Sequence, residues 1–276
     1  MNAFKKLKMF DRLKLLTGDA GLDALENCKV ILFGVGGVGS WCAESLIRSG
    51  IGSLTLVDND TVCETNINRQ LQATHSSIGS VKVEALKSRL QDINSHAEII
   101  TVNSVYNRNT AENFDLSSYN YVIDAIDSLT PKVELITRAL SSNTILFSSS
   151  GAAGKLDPAR IKVASIWKVE KCPLAKKVKK RLKKDRVKGN FLTVYSDELL
   201  DGYKDNSGDN LTGFNMPQPD REAMIDKKGI TKKQIGGSVA HITAIFGFFL
   251  AGLVFEDILK KSGYIKLERG VDNSKI

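Results

Sequence analysis

No Cys-x-x-Cys pair occurs in this chain. Its four cysteines, Cys28, Cys42, Cys63 and Cys172, stand singly. That excludes a structural zinc site built on paired thiolates, excludes a disulfide framework and suits a reducing compartment such as the cytoplasm. Histidine is scarcer: His75, His96 and His241 form no cluster, so none is assigned a metal or catalytic role. Acidic side chains are in deficit, 31 against 39 Lys and Arg, a formal net charge of +8. An excess of that sign hints at a polyanionic partner. No internal repeat is present. Lys5, Lys6 and Lys8 are not followed by an apolar core, so no secretory leader is expected. A chain of 276 residues can bury a full core without splitting into independent domains.

One stretch organises the remainder. Val30 to Phe33 is an apolar run that reads as a buried parallel strand. It leads into Gly34, Gly36, Gly37 and Gly39, and Ser40 onward reads as a helix. A Gly-x-Gly-x-x-Gly turn between strand and helix is a nucleotide-phosphate cradle. The glycines allow close backbone approach, and the helix start offers free N–H groups to an anion. NAD, FAD and ATP all use this device.

Asp58 closes the next strand, Ser53 to Asp58, nineteen residues after Gly39, where a carboxylate can hold ribose hydroxyls. Asp60 follows, then the polar run Thr65-Asn66-Ile67-Asn68-Arg69-Gln70. Gly79-Ser80 reads as the cap of a helix with Lys82 in its first turn. The helix dipole disfavours a cation there unless phosphates lie beside it. Arg69 and Lys82 near one phosphate loop fit a triphosphate better than a dinucleotide. The strand Tyr121 to Asp127 ends in Asp124 and Asp127, facing the ligand crevice at a parallel strand's carboxyl end. A carboxylate there can hold Mg²⁺; Asp127 or Ser128 can equally cap the helix 130–141.

Beyond residue 155 the strand–helix alternation breaks down. Ile161 to Trp167 and Phe191 to Tyr195 read as strands. Residues 168–188 carry eleven Lys or Arg against Glu170 and Asp185, yet Leu174, Val178 and Leu182 keep one apolar stripe. That describes a docked helix with a basic outer face, and Lys176, Lys177, Lys180 and Lys184 are candidate contacts to a nucleic-acid backbone. Residues 201–236 read as a long loop. Residues 238–255 are nearly all apolar; they read as a helix buried in the core or at a dimer contact, the alternative being membrane association. At the other end, residues 9–27 read as an amphipathic helix with Phe10, Leu13, Leu16, Leu22 and Leu25 on its stripe; Arg12 lies within it. The expected fold class is α/β: a Rossmann-like, mostly parallel sheet with flanking helices, plus a C-terminal mixed extension packed on the same core. Residues 1–155 form the nucleotide-binding half of a single domain, and 156–276 add the basic helix, loop and apolar helix.

Gly-x-Gly-Gly-x-Gly, Asp-x-Asp, Asn-x-Asn-Arg-Gln, Gly-x-x-Lys and Asp-x-x-Asp stand in order over residues 9–155. With them the chain resembles the ubiquitin-activating-enzyme-like adenylating superfamily, whose bacterial members activate the C-terminal carboxylate of small sulfur-carrier proteins. Gly39-Ser40-Trp41, Asp60 to Gln70, Tyr121 to Ser128 and the Pro173-Leu174-Ala175 helix look most like the branch of tRNA threonylcarbamoyladenosine dehydratases. The resemblance implies ATP-dependent adenylation of the threonyl carboxylate of N6-threonylcarbamoyladenosine beside the anticodon, then ring closure with net loss of water. It implies that Asp58 holds the ribose and that Gly36, Gly39, Asn66, Arg69, Gln70 and Lys82 surround the phosphates. Gly34, Gly37, Asp60 and Asn68 would belong to the same ATP site, and Asp127, with Asp124 behind it, would bind Mg²⁺. Arg12 matches an arginine that relatives send across a dimer into the other ATP site, so Arg12, Arg69, Lys82 and Asp127 are the candidate catalytic residues.

The partners implied are tRNA, a second copy of the chain and an accessory protein of a cysteine-desulfurase system; DNA is not expected. A monovalent cation near the Ser148–Gly154 turn is a further candidate. Carrier-protein activators usually have two zinc-binding Cys-x-x-Cys pairs, and some use a catalytic cysteine. This chain has no such pair, and Cys172, the only candidate in the second half, lies at the foot of the basic helix, where neighbouring lysines do not by themselves make a thiol a nucleophile. Both absences and the basic helix favour RNA over a carrier protein, whose adenylation stays as the alternative.

Overall fold

The computed structural model describes residues 4–142, 144–199 and 237–264. The expected loop 201–236 lies outside them. Helix α1 (Asp11–Glu26) leads into β1 (Lys29–Phe33), α2 (Gly39–Arg48), β2 (Ser53–Val57), α3 (Lys82–Ile93) and β3 (Glu98–Val102). Then come β4 (Tyr121–Asp124), α4 (Leu129–Ser141), β5 (Ile145–Ser149), β6 (Ile161–Ser165), α5 (Pro173–Lys184), β7 (Leu192–Ser196) and α6 (Ala240–Lys261). The strands form one sheet in the order β3-β2-β1-β4-β5-β7-β6. Every pairing is parallel except β6 with β7. Chain order reverses direction between β1 and β4, and ligands of open α/β sheets bind outside the strand ends at such a point. The expected α/β sheet with a mixed extension is the fold observed.

Alternation along β1 explains the two layers. Val30 and Leu32 face a core shared with Leu46, Leu86, Phe246 and Leu250, while Ile31 and Phe33 face one shared with Ile136, Val178 and Leu182. Successive strand residues point to opposite faces, so a buried strand covered on both sides reads as an unbroken apolar run.

Four local expectations need correction. Leu16 is 63 % exposed rather than on the buried stripe. Gly18 takes a left-handed φ of 62° and kinks α1; Leu13 still packs on the core with Leu22 and Leu25, while Leu15 and Leu16 stand out in solvent. The strand expected to reach Trp167 stops at Ser165, whose side chain accepts the Trp167 N–H and turns the chain into a short 3-10 turn. Helix α3 starts without a Ser80 side-chain cap; Val81 holds the cap position and bridges to Thr61. Finally, α6 runs on to Lys261. It is the one described helix long and apolar enough to cross a membrane, but it is mostly buried. It packs along α2, where a Cβ on Gly247 would stand 2.5 Å from the Val38 carbonyl.

Candidate nucleotide site

Geometry fixes two of the turn glycines. Gly34 has φ +87°, and a Cβ on it would meet the Ala125 carbonyl at 2.8 Å; a Cβ on Gly39 would lie 1.8 Å from the Gly34 carbonyl. Both are needed to fold the turn itself. Gly36 differs: the nearest atom to its Cβ position is Gln70 Nε2 at 3.8 Å. Open space over that backbone is where a phosphate can sit.

Asp58 is tied into this turn. Its Oδ2 accepts from the Val35 N–H at 2.8 Å and its Oδ1 from the Asp60 N–H at 2.9 Å. Burial pushes its carboxyl above 3.8, although nearby Lys82 and the two N–H donors pull the other way. A half-buried carboxylate at the end of β2 suits a ribose diol.

The start of α3 brings Lys82 to the site through backbone pairing. Val62 N–H donates to the Ser80 carbonyl, Gly79 N–H to the Val62 carbonyl and Lys82 N–H to the Asp60 carbonyl. Lys82 Nζ then lies 2.9 Å from Asp60 Oδ2. Across the turn, the Arg69 guanidinium donates to the Thr65 carbonyl and to Asn68 Oδ1. Burial lowers its pKa, and Asp127 opposes that, so Asp127 is the carboxylate it feels. Asn66 Oδ1 accepts from the Cys63 N–H and holds the loop start; Asn68 Nδ2 reaches the Ser238 carbonyl before α6.

Gln70 and Gln72 are both buried, and the Oε1 of each lacks a hydrogen-bond partner among the described residues. Gln72 Nε2 donates to the Val35 carbonyl at 2.8 Å. Buried amide oxygens are seldom left unpaired, so these two are acceptors suited to ligand hydroxyls or to bound water. Gln72 lies outside the residues picked from sequence: it follows the Asn-Arg-Gln run by two positions and belongs to no period.

Strand β4 stops at Asp124, short of the expected Asp127, which lies in the turn before α4, and the two aspartates part company. Asp127 is exposed, with Ser128 Oγ 3.3 Å from its Oδ1. Mg²⁺ needs only one or two carboxylates beside substrate phosphates, so Asp127 fits that ion. Asp124, expected to face the crevice, is instead fully buried. Its Oδ2 takes Lys132 Nζ at 2.6 Å and the Ser148 hydroxyl at 2.7 Å, and its Oδ1 takes the Ile126 N–H at 3.1 Å. Lys132 is itself 2 % exposed. Asp124 therefore shapes the β4–α4 turn and cannot ligate an ion in the crevice. Ser128 holds the cap position of α4, but its side chain accepts no N–H of the first turn.

The remaining candidates lie apart. Arg12 is exposed on α1 and has no hydrogen bond or ion pair among the described residues. Helix α5 buries Ala175, Val178 and Leu182 and presents Lys176, Lys177, Lys180 and Lys184 to solvent. Cys172 is buried at its start. In the Ser148–Gly154 turn, Ser150 Oγ pairs with Thr193 Oγ1 and Ser149 Oγ donates to the Ser150 carbonyl. No three His, Cys, Asp or Glu side chains gather as a metal cluster among the described residues.

Sheet order and glycine cradle define a nucleotide-binding α/β protein, and the family model described as "ThiF family" matches residues 10–266. The tRNA threonylcarbamoyladenosine dehydratase of Bacillus subtilis strain 168 is 38 % identical over 258 residues, 92 % of this chain and 96 % of that one. The crystal structures of the E. coli tRNA N6-threonylcarbamoyladenosine dehydratase in complex with AMP and with ATP superpose with TM-scores of 0.76 and 0.76. They are 31 % and 30 % identical, and the match covers 92 % of this chain and 95 % of each. The chain belongs to the ThiF family and, within it, to the tRNA threonylcarbamoyladenosine dehydratases.

Proposed function

We propose that this protein uses ATP to dehydrate N6-threonylcarbamoyladenosine in tRNA, through an adenylate of the threonyl carboxylate. One observation carries the reading. Lys82, paired with Asp60, lies near Asp58, whose carboxylate holds the Val35 N–H of the glycine turn, and the Arg69 stem passes over Gly37 of the same turn, in a chain matched over 92 % of its length to such a dehydratase.

The chemistry follows from charge. The threonyl carboxylate attacks the α-phosphorus and pyrophosphate leaves with the electron pair of the broken P–O bond. Lys82, Arg69 and the N–H groups after Gly36 meet the negative charge that builds on the leaving oxygens. Asp58 holds the ribose and fixes the α-phosphorus in line, an orientation effect. Mg²⁺ held by Asp127 and phosphate oxygens would add a further positive charge beside the leaving group. The substrate's own carbamoyl group then displaces AMP and closes the ring, a step inside the substrate that needs no enzyme thioester.

The exposed lysines of α5 are the proposed contact to the tRNA backbone. A homodimer is part of the same reading. Phe248 and Phe249 are 47 % and 40 % exposed on α6, and in such a dimer Arg12 would reach the other ATP site. The protein works in the cytoplasm, where an accessory protein of a cysteine-desulfurase system is a further partner.

The test is purified protein with ATP, Mg²⁺ and tRNA carrying the modification. Pyrophosphate release together with loss of one water from the digested nucleoside is the expected result. Adenylation of a Gly-Gly-tailed carrier protein, with tRNA inert, would overturn it.

A further inference from the structure

The backbone of Arg69 is held from outside its own loop. Trp41 Nε1, on the first turn of α2, donates to the Arg69 carbonyl at 3.1 Å, and Thr243 Oγ1 of α6 lies 3.5 Å from the same oxygen. One residue earlier on α2, Ser40 Oγ accepts from the Leu71 N–H at 3.2 Å. Two adjacent residues of α2 therefore grip the loop on both sides of Gln70. The Arg69 stem passes over the phosphate turn, its Cγ 3.4 Å from where a Cβ of Gly37 would be.

The Trp41 ring has little freedom to move away. It meets Phe248 of α6 edge-on, centroids 6.0 Å apart and planes at 75°. A Cβ on Gly247 would stand 2.9 Å from Trp41 Cβ, so the two helices touch closely at this level. Indole has a single donor, and here it is spent on the carbonyl of the residue whose side-chain stem passes over the phosphate turn.

We infer that Trp41 is a positioning residue for Arg69: its indole N–H sets the backbone from which the guanidinium reaches the nucleotide phosphates. This rests on the ATP reading above but not on the tRNA substrate, so the experiment is run without tRNA. Mg·ATP affinity is measured by calorimetry on the full chain for wild type, Trp41→Phe, Arg69→Ala and the double variant. Trp41→Phe is expected to weaken binding about five-fold, the size of one hydrogen bond. In the double variant the Trp41 change should add nothing to the Arg69→Ala loss, because the group that it positions is gone.

Fluorescence supplies a second readout. With Trp167→Phe leaving Trp41 as the sole indole, ATP should change the emission. Should Trp41→Phe fail to fold, benzothienylalanine placed at position 41 keeps the ring shape and removes only the donor; the same five-fold loss is then expected. Undiminished ATP affinity in either donor-less protein, or losses that add in the double variant, would overturn the inference. A wild-type protein that does not bind ATP would sink the ATP reading and this one with it. One that binds ATP but leaves tRNA unchanged would sink only the dehydratase reading.

Discussion

Lys82 Nζ lies 2.9 Å from Asp60 Oδ2, with the lysine side chain 7 % exposed and the aspartate 55 %. The pair is asymmetric: the cation is enclosed while its counter-charge stays wet. A triphosphate can therefore take over as the ammonium's partner without stranding Asp60. Replacing Lys82 with Met keeps the stem and removes the charge. Stability should change by less than about 1 kcal/mol, since Asp60 remains solvated. Pyrophosphate release should fall by about a hundred-fold or more, as when a preorganised transition-state donor is lost. Urea denaturation and a coupled pyrophosphate assay measure the two quantities side by side.

Asp58 gives nucleotide binding a pH dependence. Burial raises its carboxyl above 3.8, and the ribose hydroxyls need the ionised form as acceptor. Affinity for ATP should hold on the alkaline side and weaken as pH falls through that raised value, sooner than for a solvated aspartate. Binding should take up the ionised form and release a proton there. In Asp58→Asn the affinity should be lower and flat over the same acidic range, with calorimetry in buffers of different ionisation heat reporting the proton.

Breaking the enclosed pair under the β4–α4 turn should be costly. Lys132→Met leaves the Asp124 charge buried with only the Ser148 hydroxyl and the Ile126 N–H, at a cost of about 3–5 kcal/mol. The double change Asp124→Asn with Lys132→Met removes the orphan charge and should recover most of that loss. Denaturant midpoints of the two proteins decide it; equal midpoints would mean that the pair is not a unit.

Helix α5 makes a salt-dependent prediction. Alanine at Lys176, Lys177, Lys180 and Lys184 should lower tRNA affinity at every salt concentration. It should also flatten the log–log salt dependence by about one for each phosphate that a lysine no longer neutralises. ATP affinity should be unchanged. If the quadruple variant binds tRNA with the wild-type salt slope, the RNA path lies elsewhere.

Sequence reading succeeds where neighbouring residues decide the structure together. Strand, glycine turn and helix around Gly34, Gly36 and Gly39 are contiguous, so their pattern is complete in one stretch, and Asp58 follows at the length of one helix and strand. Lys82 is legible as a cation in the wrong place for a helix dipole; its pairing with Asp60 is not, because it depends on the Thr61–Val81 bridge. Asp124 misleads because only the β4–α4 turn brings Lys132 back beneath the strand end. A signal is present: residues 132, 135, 136 and 139 keep helical spacing, and Lys132 shares the buried stripe with Leu135, Ile136 and Ala139. A lysine in phase with such a stripe calls for an internal counter-ion. Leu16 fails for the opposite reason, a pattern read straight across the kink at Gly18. The expected loop over 201–236 lies outside the described residues.

The packing of Gly247 against the first turn of α2 joins elements far apart in sequence. Helix α2 closes the phosphate turn early in the chain, yet the surface that backs it belongs to α6, which leaves the ribosome after every other described element. During synthesis the early strands and helices emerge with that side of α2 bare to water and, by size and apolarity, adhesive. The nucleotide pocket is therefore completed late: a nascent chain stalled before residue 240 would expose Trp41, Cys42 and Leu46, and would be a client for chaperones before it could be an enzyme.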